Sequence, residues 1–148
     1  MITTNSLNEA RKQIQKLKKN KELVVVLAQS PEFNRKILEN PDVDILLNPE
    51  IHERKDRLKQ RDSGLNEYLC RLARKNKIKI GIDLGEVINK PKPEKAKILS
   101  RILQNIKLCR RTKTPIIIYP DKYKKQDIMA LFLSLKASTQ QAKKSCIS

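Results

Sequence analysis

Apolar residues fall along this chain in two alternating patterns. Four short runs show little polar alternation: Leu23–Ala28 (LVVVLA), Val43–Leu47 (VDILL), Ile78–Leu84 (IKIGIDL) and Pro115–Tyr119 (PIIIY). Runs of this length, rich in β-branched residues and bounded by turn residues, predict strands buried on both faces. Between them, apolar residues recur at helical spacing. Leu7, Ala10, Ile14 and Leu17 give a narrow stripe over 5–20, and Phe33, Ile37 and Leu38 face inward from a helix bounded by Ser30-Pro31 and Asn40-Pro41. Leu65, Tyr68, Leu69, Leu72 and Ala73 form one face of a third helix. Ile98, Leu99, Ile102, Leu103, Ile106 and Cys109 form that of the longest, over 94–111. Ile128, Met129, Leu131, Phe132 and Leu135 mark the last, over 124–136.

Local signals set the ends of these elements. Ser6 and Glu9 have capping-box spacing, and Ser30 before Pro31 is an N-cap with proline at the first helical position. Asp62 and Ser63 are the expected caps of the third helix, with Gly64 giving the chain room to turn. Residues 50–61 and 85–93 read as loops, the second because Pro91-Lys92-Pro93 blocks a regular helix. The division that follows is a basic N-terminal helix over 1–22, an α/β domain over 23–137 and a flexible tail over 138–148. One helix followed by four strand–helix units implies a parallel sheet covered by helices. Four strands are too few for a closed eight-stranded barrel, so an open sheet or an incomplete barrel is expected.

Charge narrows the class of partner. Thirty-three Lys and Arg stand against 16 Asp and Glu, a formal net charge of +17. Such a surface attracts polyanions, nucleic acid first and anionic membrane second. No run of about 20 apolar residues is present to span a bilayer, and the N-terminus carries no apolar core of the secretory type. Cys70, Cys109 and Cys146 are widely separated, form no C-x-x-C pair and predict no zinc ribbon. An intracellular, reduced and cytoplasmic setting is expected. Cys70 and Cys109 fall within apolar helical patterns as small core residues.

The basic residues cluster. From Lys90 to Lys113 there are nine Lys/Arg against Glu94 alone, where a simply solvated face would mix signs. Arg54, Arg57, Arg61, Arg71, Arg74, Arg101, Lys107, Arg110 and Arg111 are the candidates for phosphate contact. Aromatics are few and include no Trp, which disfavours a reader that stacks single-stranded bases on exposed rings. Backbone and shape recognition of folded RNA suits the composition better.

Catalytic signals are weak. The positions just beyond the strands hold Gln29, Ser30, Asn48, Glu50, His52, Gly85, Glu86, Tyr119 and Asp121. A metal-dependent phosphoesterase built on His52 and Asp83 is one alternative. His52 is the only histidine, however, and there is no D-x-H, H-x-H or H-E-x-x-H. His52 is the more readily a loop residue, and Asp83 a partner for one of many cations. No nucleotide-binding glycine loop, Walker A motif or G-x-S-x-G elbow occurs. A general basic RNA-binding module of ribosomal type is the other alternative.

The succession LVVVLAQSPEFNRKILENPDVDILLNPE, RDSGLNEYLCRLARKNKIKIGIDLGEV and ILSRILQNIKLCRRTKTPIIIY resembles the archaeal ribonuclease P protein component 3 family, related to the eukaryotic thirty-kilodalton subunit. Its most specific parts are Asn34-Arg35, Asn40–Leu46, Asp62–Asn66, Ala73–Ile82, Asn105–Cys109 and Pro115–Ile118. The resemblance implies a TIM-barrel-like α/β fold of the polymerase-and-histidinol-phosphatase type that has lost its metal site. Family members begin with further strand–helix units ahead of the one at Leu23. A shortened barrel of about four to five strands is therefore expected, with an apolar sheet edge to be covered by helix 5–20 or by a partner subunit. The resemblance also implies a non-catalytic subunit of ribonuclease P, whose RNA removes 5′ leaders from precursor tRNA. Its implied partners are the ribonuclease P RNA, protein component 2, the other protein subunits and, through the complex, precursor tRNA. No cofactor is implied for the protein, and Mg²⁺ goes with the RNA subunit.

Overall fold

All four apolar runs become strands, and they pair in parallel. The computed structural model describes residues 1–56 and 61–146. In chain order it contains α1 (Leu7–Lys19), β1 (Val25–Leu27), α2 (Pro31–Leu38), β2 (Ile45–Leu47), α3 (Glu67–Lys75), β3 (Lys79–Ile82), α4 (Leu84–Ile88), α5 (Lys92–Thr112), β4 (Ile116–Ile118), α6 (Lys125–Ser134) and α7 (Thr139–Lys143). The sheet order is β1-β2-β3-β4. A doubly wound sheet would reverse direction at a switch point; sequential order is the winding of a barrel wall.

Strand alternation divides the interior in two. Val24, Val26, Leu46, Ile80, Ile82, Ile116 and Ile118 meet the helices in the main core, with Ile14, Ile37, Cys70, Ile102, Ile106 and Phe132 opposite them. Val25, Ile45, Leu47 and Ile117 form a second, small aliphatic cluster on the other face. Gly81 lies on that face, where a Cβ would press on Ile45 and Leu47. Both faces are buried, so the runs lack polar alternation.

Segments of the chain itself pair with both outer strands. Ile2 bridges Val26 in parallel, its N–H donating to the Val25 carbonyl and its carbonyl accepting from Leu27. At the other edge the Ser145 carbonyl accepts the Ile118 N–H at 2.9 Å. Short segments next to the two helical ends therefore pair with the exposed ladder groups, while α1 packs Ala10 and Ile14 into the main core.

Several local expectations are corrected. The 138–148 stretch is not a frayed tail where it is described: Ser138 and Gln141 make a reciprocal capping box, Ala142 is buried, and Gln141 donates to the Ile106 carbonyl. Residues 84–88 form α4, capped by Asp83, where the expected strand ended at Leu84 and a loop was expected from 85. Pro91-Lys92-Pro93 opens α5 instead of blocking it, because the first turn has no intrahelical use for the missing N–H. Ser6 accepts the Glu9 N–H, but Glu9 turns to Thr4 and Gln13, so the reciprocal half of that capping box is absent.

The third helix starts later than expected. Its N-cap is Asn66, whose Oδ1 accepts the Leu69 N–H at 2.8 Å; Asp62 and Ser63 bond within the preceding turn. Tyr68 is 60% exposed and leaves the apolar face. Gly64 has φ +82°, and a Cβ there would overlap the Pro49 carbonyl. Gly64→Ala is expected to lose more than about 1 kcal/mol of stability in urea denaturation. A wild-type midpoint would mean that the Pro49 contact yields freely.

Candidate nucleic-acid interface

The outer edges of α3 and α5 bring several predicted cations together. Apolar residues at helical spacing turn Leu69, Cys70 and Ala73 of α3 inward, which leaves Arg71, Arg74 and Lys75 outside. On α5 the same logic buries Ile102, Ile106 and Cys109 and exposes Lys107, Arg110 and Arg111. The two helices pack side by side, and Arg74 donates to the Thr112 carbonyl at 3.4 Å. Between them lies a concavity of about 530 Å³ lined by Arg71, Arg74, Lys75, Arg111, Thr112 and Lys113. Arg71 pairs with Glu67 at 2.8 Å on the surface. Among the described residues no carboxylate lies within ion-pair distance of Arg74, Lys75, Lys107, Arg110 or Arg111. Arg74, Lys75, Arg110 and Arg111 also sit in the last turns of their helices, where the macrodipole favours positive charge. A concave, unneutralised group of guanidinium and ammonium donors suits phosphate.

Arg101 is a correction. It was expected to contact phosphate, but it is 1% exposed. Its Nη1 donates to the Glu50 and His52 carbonyls, both at 3.1 Å, and its Nη2 to the Arg54 carbonyl at 3.2 Å. Asp56 Oδ1 stands 3.5 Å from Nη2. One turn further along α5, Asn105 donates to the Ser63 carbonyl, and beside it Gln104 donates to that of Arg61. The polar members of the inward face of α5 therefore clamp the chain that leaves β2. The signal was present in the sequence: Arg101 and Asn105 fall on the same helical stripe as Ile98, Ile102, Ile106 and Cys109.

The clamped loop is also bonded within itself. His52 Nδ1 accepts the Arg54 N–H, so its Nε2 carries the proton and donates to the Asp62 carbonyl at 2.7 Å. Both ring nitrogens are thus engaged, with no lone pair left for a metal. Burial, with Arg101 and Arg54 nearby, lowers the His52 pKa and keeps the ring neutral. Burial tends to raise the Asp62 carboxyl, but its bonds to Arg54 and the Gly64 N–H prevail and hold it below its ordinary value. The Asp62 N–H, then Arg101 and Lys97, hold Asp56 down. Arg54 is thereby partly committed to Asp62 at 3.0 Å. Arg61 is exposed, and Arg57 lies outside the described residues.

Beyond the strand ends, Asn48 Oδ1 accepts the Asp83 N–H, and the Asp83 carboxylate caps α4 through Gly85. The Asp83 carboxylate is thus engaged by one backbone N–H, that of Gly85, where a cation was the expected partner. Glu50 is fully buried, and neither carboxylate oxygen has a hydrogen-bond partner. Cys70 and Cys109 are buried and free; contact with Cys70 and burial push the Cys109 thiol up.

A parallel α/β barrel wall with a one-signed cationic edge defines a chain of the TIM-barrel-like class with an electrostatic footprint for nucleic acid. The family described as RNase P subunit p30 matches residues 1–146, and the chain belongs to it. Ribonuclease P protein component 3 of Methanococcus maripaludis is 32% identical over 117 residues, covering 79% of this chain and 47% of that protein. Its counterpart in Methanocaldococcus jannaschii is 28% identical over 127 residues, covering 86% of this chain and 52% of that one. A chain in the cryo-EM structure of archaeal ribonuclease P with mature tRNA superposes with a TM-score of 0.78 at 29% identity, over 97% of this chain and 61% of that one. The chain thus spans about half the length of the curated relatives it matches. Among the described residues no helix is long and apolar enough to cross a membrane.

Proposed function

We propose that this chain acts as a protein subunit of ribonuclease P, holding the catalytic RNA while that RNA removes 5′ leaders from precursor tRNA. The observation that carries the reading is the concave cationic edge of α3 and α5 on a chain of this family. Arg71, Arg74, Lys107, Arg110 and Arg111 are its exposed phosphate contacts, with Arg54 and Arg61 contributing from the loop side. The protein supplies positive charge and shape, and the divalent Mg²⁺ of the reaction belongs to the RNA. Component 2 and the other protein subunits are its protein partners, and the cytoplasm is its setting.

Reconstitution tests this reading. Ribonuclease P RNA and the other protein subunits of M. maripaludis, assayed on precursor tRNA at limiting Mg²⁺, are expected to cleave faster when this chain replaces the resident component 3 than when component 3 is omitted. The gain is expected to fall when Arg74, Arg110 and Arg111 are changed together to Gln, because each lost phosphate contact releases fewer counterions. No gain from the unaltered chain would overturn the reading. Hydrolysis by the protein without RNA, abolished by a chelator, would favour a phosphoesterase instead.

A further inference from the structure

Helices in this chain end in an unusual way. Lys21, Lys77, Lys113 and Lys136 have φ of 58°, 57°, 59° and 65°. In each case the next residue closes a Schellman turn: Glu22 N–H donates to the Leu17 carbonyl, Ile78 to Ala73, Thr114 to Cys109 and Ala137 to Phe132. Glycine takes this left-handed position without steric cost and is the usual occupant. Here all four positions hold lysine, and the three glycines of the chain lie elsewhere.

Two of the four are matched across the sheet. β3 and β4 are hydrogen-bonded neighbours with Ile80 opposite Ile116, and Lys77 and Lys113 each stand three residues before that pair. Both are exposed at the N-terminal end of the strands. Lys113 lines the concavity with Arg74 and Arg111, and it also lines a second one, of about 510 Å³, with Arg110 and Lys144. No Asp or Glu occurs from Arg71 to Ile82, from Lys95 to Pro120 or from Ile128 onward. Lys21 differs. It is followed by Glu22, precedes the edge strand β1, and is separated from Lys77 by the β2 entry carrying Glu39, Asp42 and Asp44.

We propose that Lys77 and Lys113, held at matched helix ends beside β3 and β4, extend the α3–α5 edge into an RNA-phosphate-binding rim. The RNA then meets the N-terminal end of the strands, opposite the end where barrel enzymes place their chemistry. This inference rests on the RNA-binding reading above. A purely structural role would have lysine complement the helix dipole, and that role makes the opposite prediction for glycine variants.

The test is salt-dependent binding of the whole chain to transcribed M. maripaludis ribonuclease P RNA, from about 50 to 200 mM KCl. The Lys77→Gly/Lys113→Gly variant relieves the left-handed strain while removing two charges, so its thermal midpoint is expected to hold or rise. Its affinity is expected to fall roughly tenfold, and the slope of log K against log salt to become shallower by about 1.5, as for two lost phosphate contacts. Lys77→Arg/Lys113→Arg is expected to retain the wild-type slope, and so is Lys21→Gly. A wild-type slope for the double glycine variant would overturn the rim while leaving RNA binding intact. So would an unchanged slope accompanied by loss of component 2 binding, which would assign the rim to a protein partner. Absence of any salt-dependent RNA binding by the unaltered chain would overturn this inference together with the reading beneath it.

Discussion

Arg101→Met is expected to destabilise the protein by about 3 kcal/mol, on the order of 1 kcal/mol for each of three carbonyls left without their donor. The substitution keeps much of the side-chain volume and removes only the guanidinium. The carbonyls of Glu50, His52 and Arg54 then lose their donor, and Asp56 loses the cation 3.5 Å away. The Glu50 carbonyl is then stranded away from water, and those of His52 and Arg54 are partly so. Arg101→Lys is expected to fail as well: one ammonium cannot reproduce a planar fork that serves three carbonyls and a carboxylate. Urea denaturation at fixed pH reads both. A loss below about 1 kcal/mol for the Met variant would show that the 50–56 segment bonds elsewhere when released. The same variant separates structure from binding. Folded Arg101→Met protein is expected to keep the wild-type salt slope for RNA, because the guanidinium it lacks was never at the surface.

This residue shows what the sequence revealed and what it concealed. Counting cations placed Arg101 among the phosphate contacts; its helical phase, shared with Ile102 and Ile106, placed it inside. Phase prevails here because burial follows the stripe, whatever the charge, once partners are supplied. The partners were not legible. They are backbone carbonyls of a loop about 50 residues earlier in the chain, and no pattern in that loop announces them. Lys107, Arg110 and Arg111 lie off the stripe, and for them charge and phase agree.

The fold was more legible than the site. β-Branched runs without polar alternation, set between helical stripes, suit a covered parallel sheet, so the four strands were legible in the pattern. Failures cluster where short elements depend on tertiary partners. α4 has five residues and α7 another five; neither repeats an apolar stripe often enough to show periodicity. Pro91 and Pro93 misled because proline signals either a stop or a start, and only the neighbouring α4 settles which. The sheet edges were missed for a similar reason: one residue at each edge, Ile2 and Ser145, supplies the pairing.

Glu50 gives the protein a pH dependence opposite to that of most carboxylates. Burial pushes its pKa from 4.5 to about 8, its own backbone amide and Arg101 offsetting only part of that rise, while Asp83 adds to it. The folded state therefore holds a proton between those values that the unfolded chain releases, and stability falls as pH rises through that window. The full effect is on the order of 5 kcal/mol. His52 acts in the other direction: its lowered pKa favours the fold above about 6.5 and penalises it below. Between pH 6.5 and 8 Glu50 dominates the slope, and the last protons leaving His52 in the unfolded chain offset only about 0.4 kcal/mol of it. There the wild-type chain is expected to lose roughly 1 to 1.5 kcal/mol. Glu50→Gln carries no proton to release, so its unfolding free energy should rise by no more than about 0.4 kcal/mol across the same range, from His52, and exceed the wild type at pH 8. Guanidinium denaturation at pH 6.5, 7.2 and 8 reads the slope directly. Parallel slopes for the two proteins would mean that Glu50 is already ionised in the fold, its charge held by Arg101.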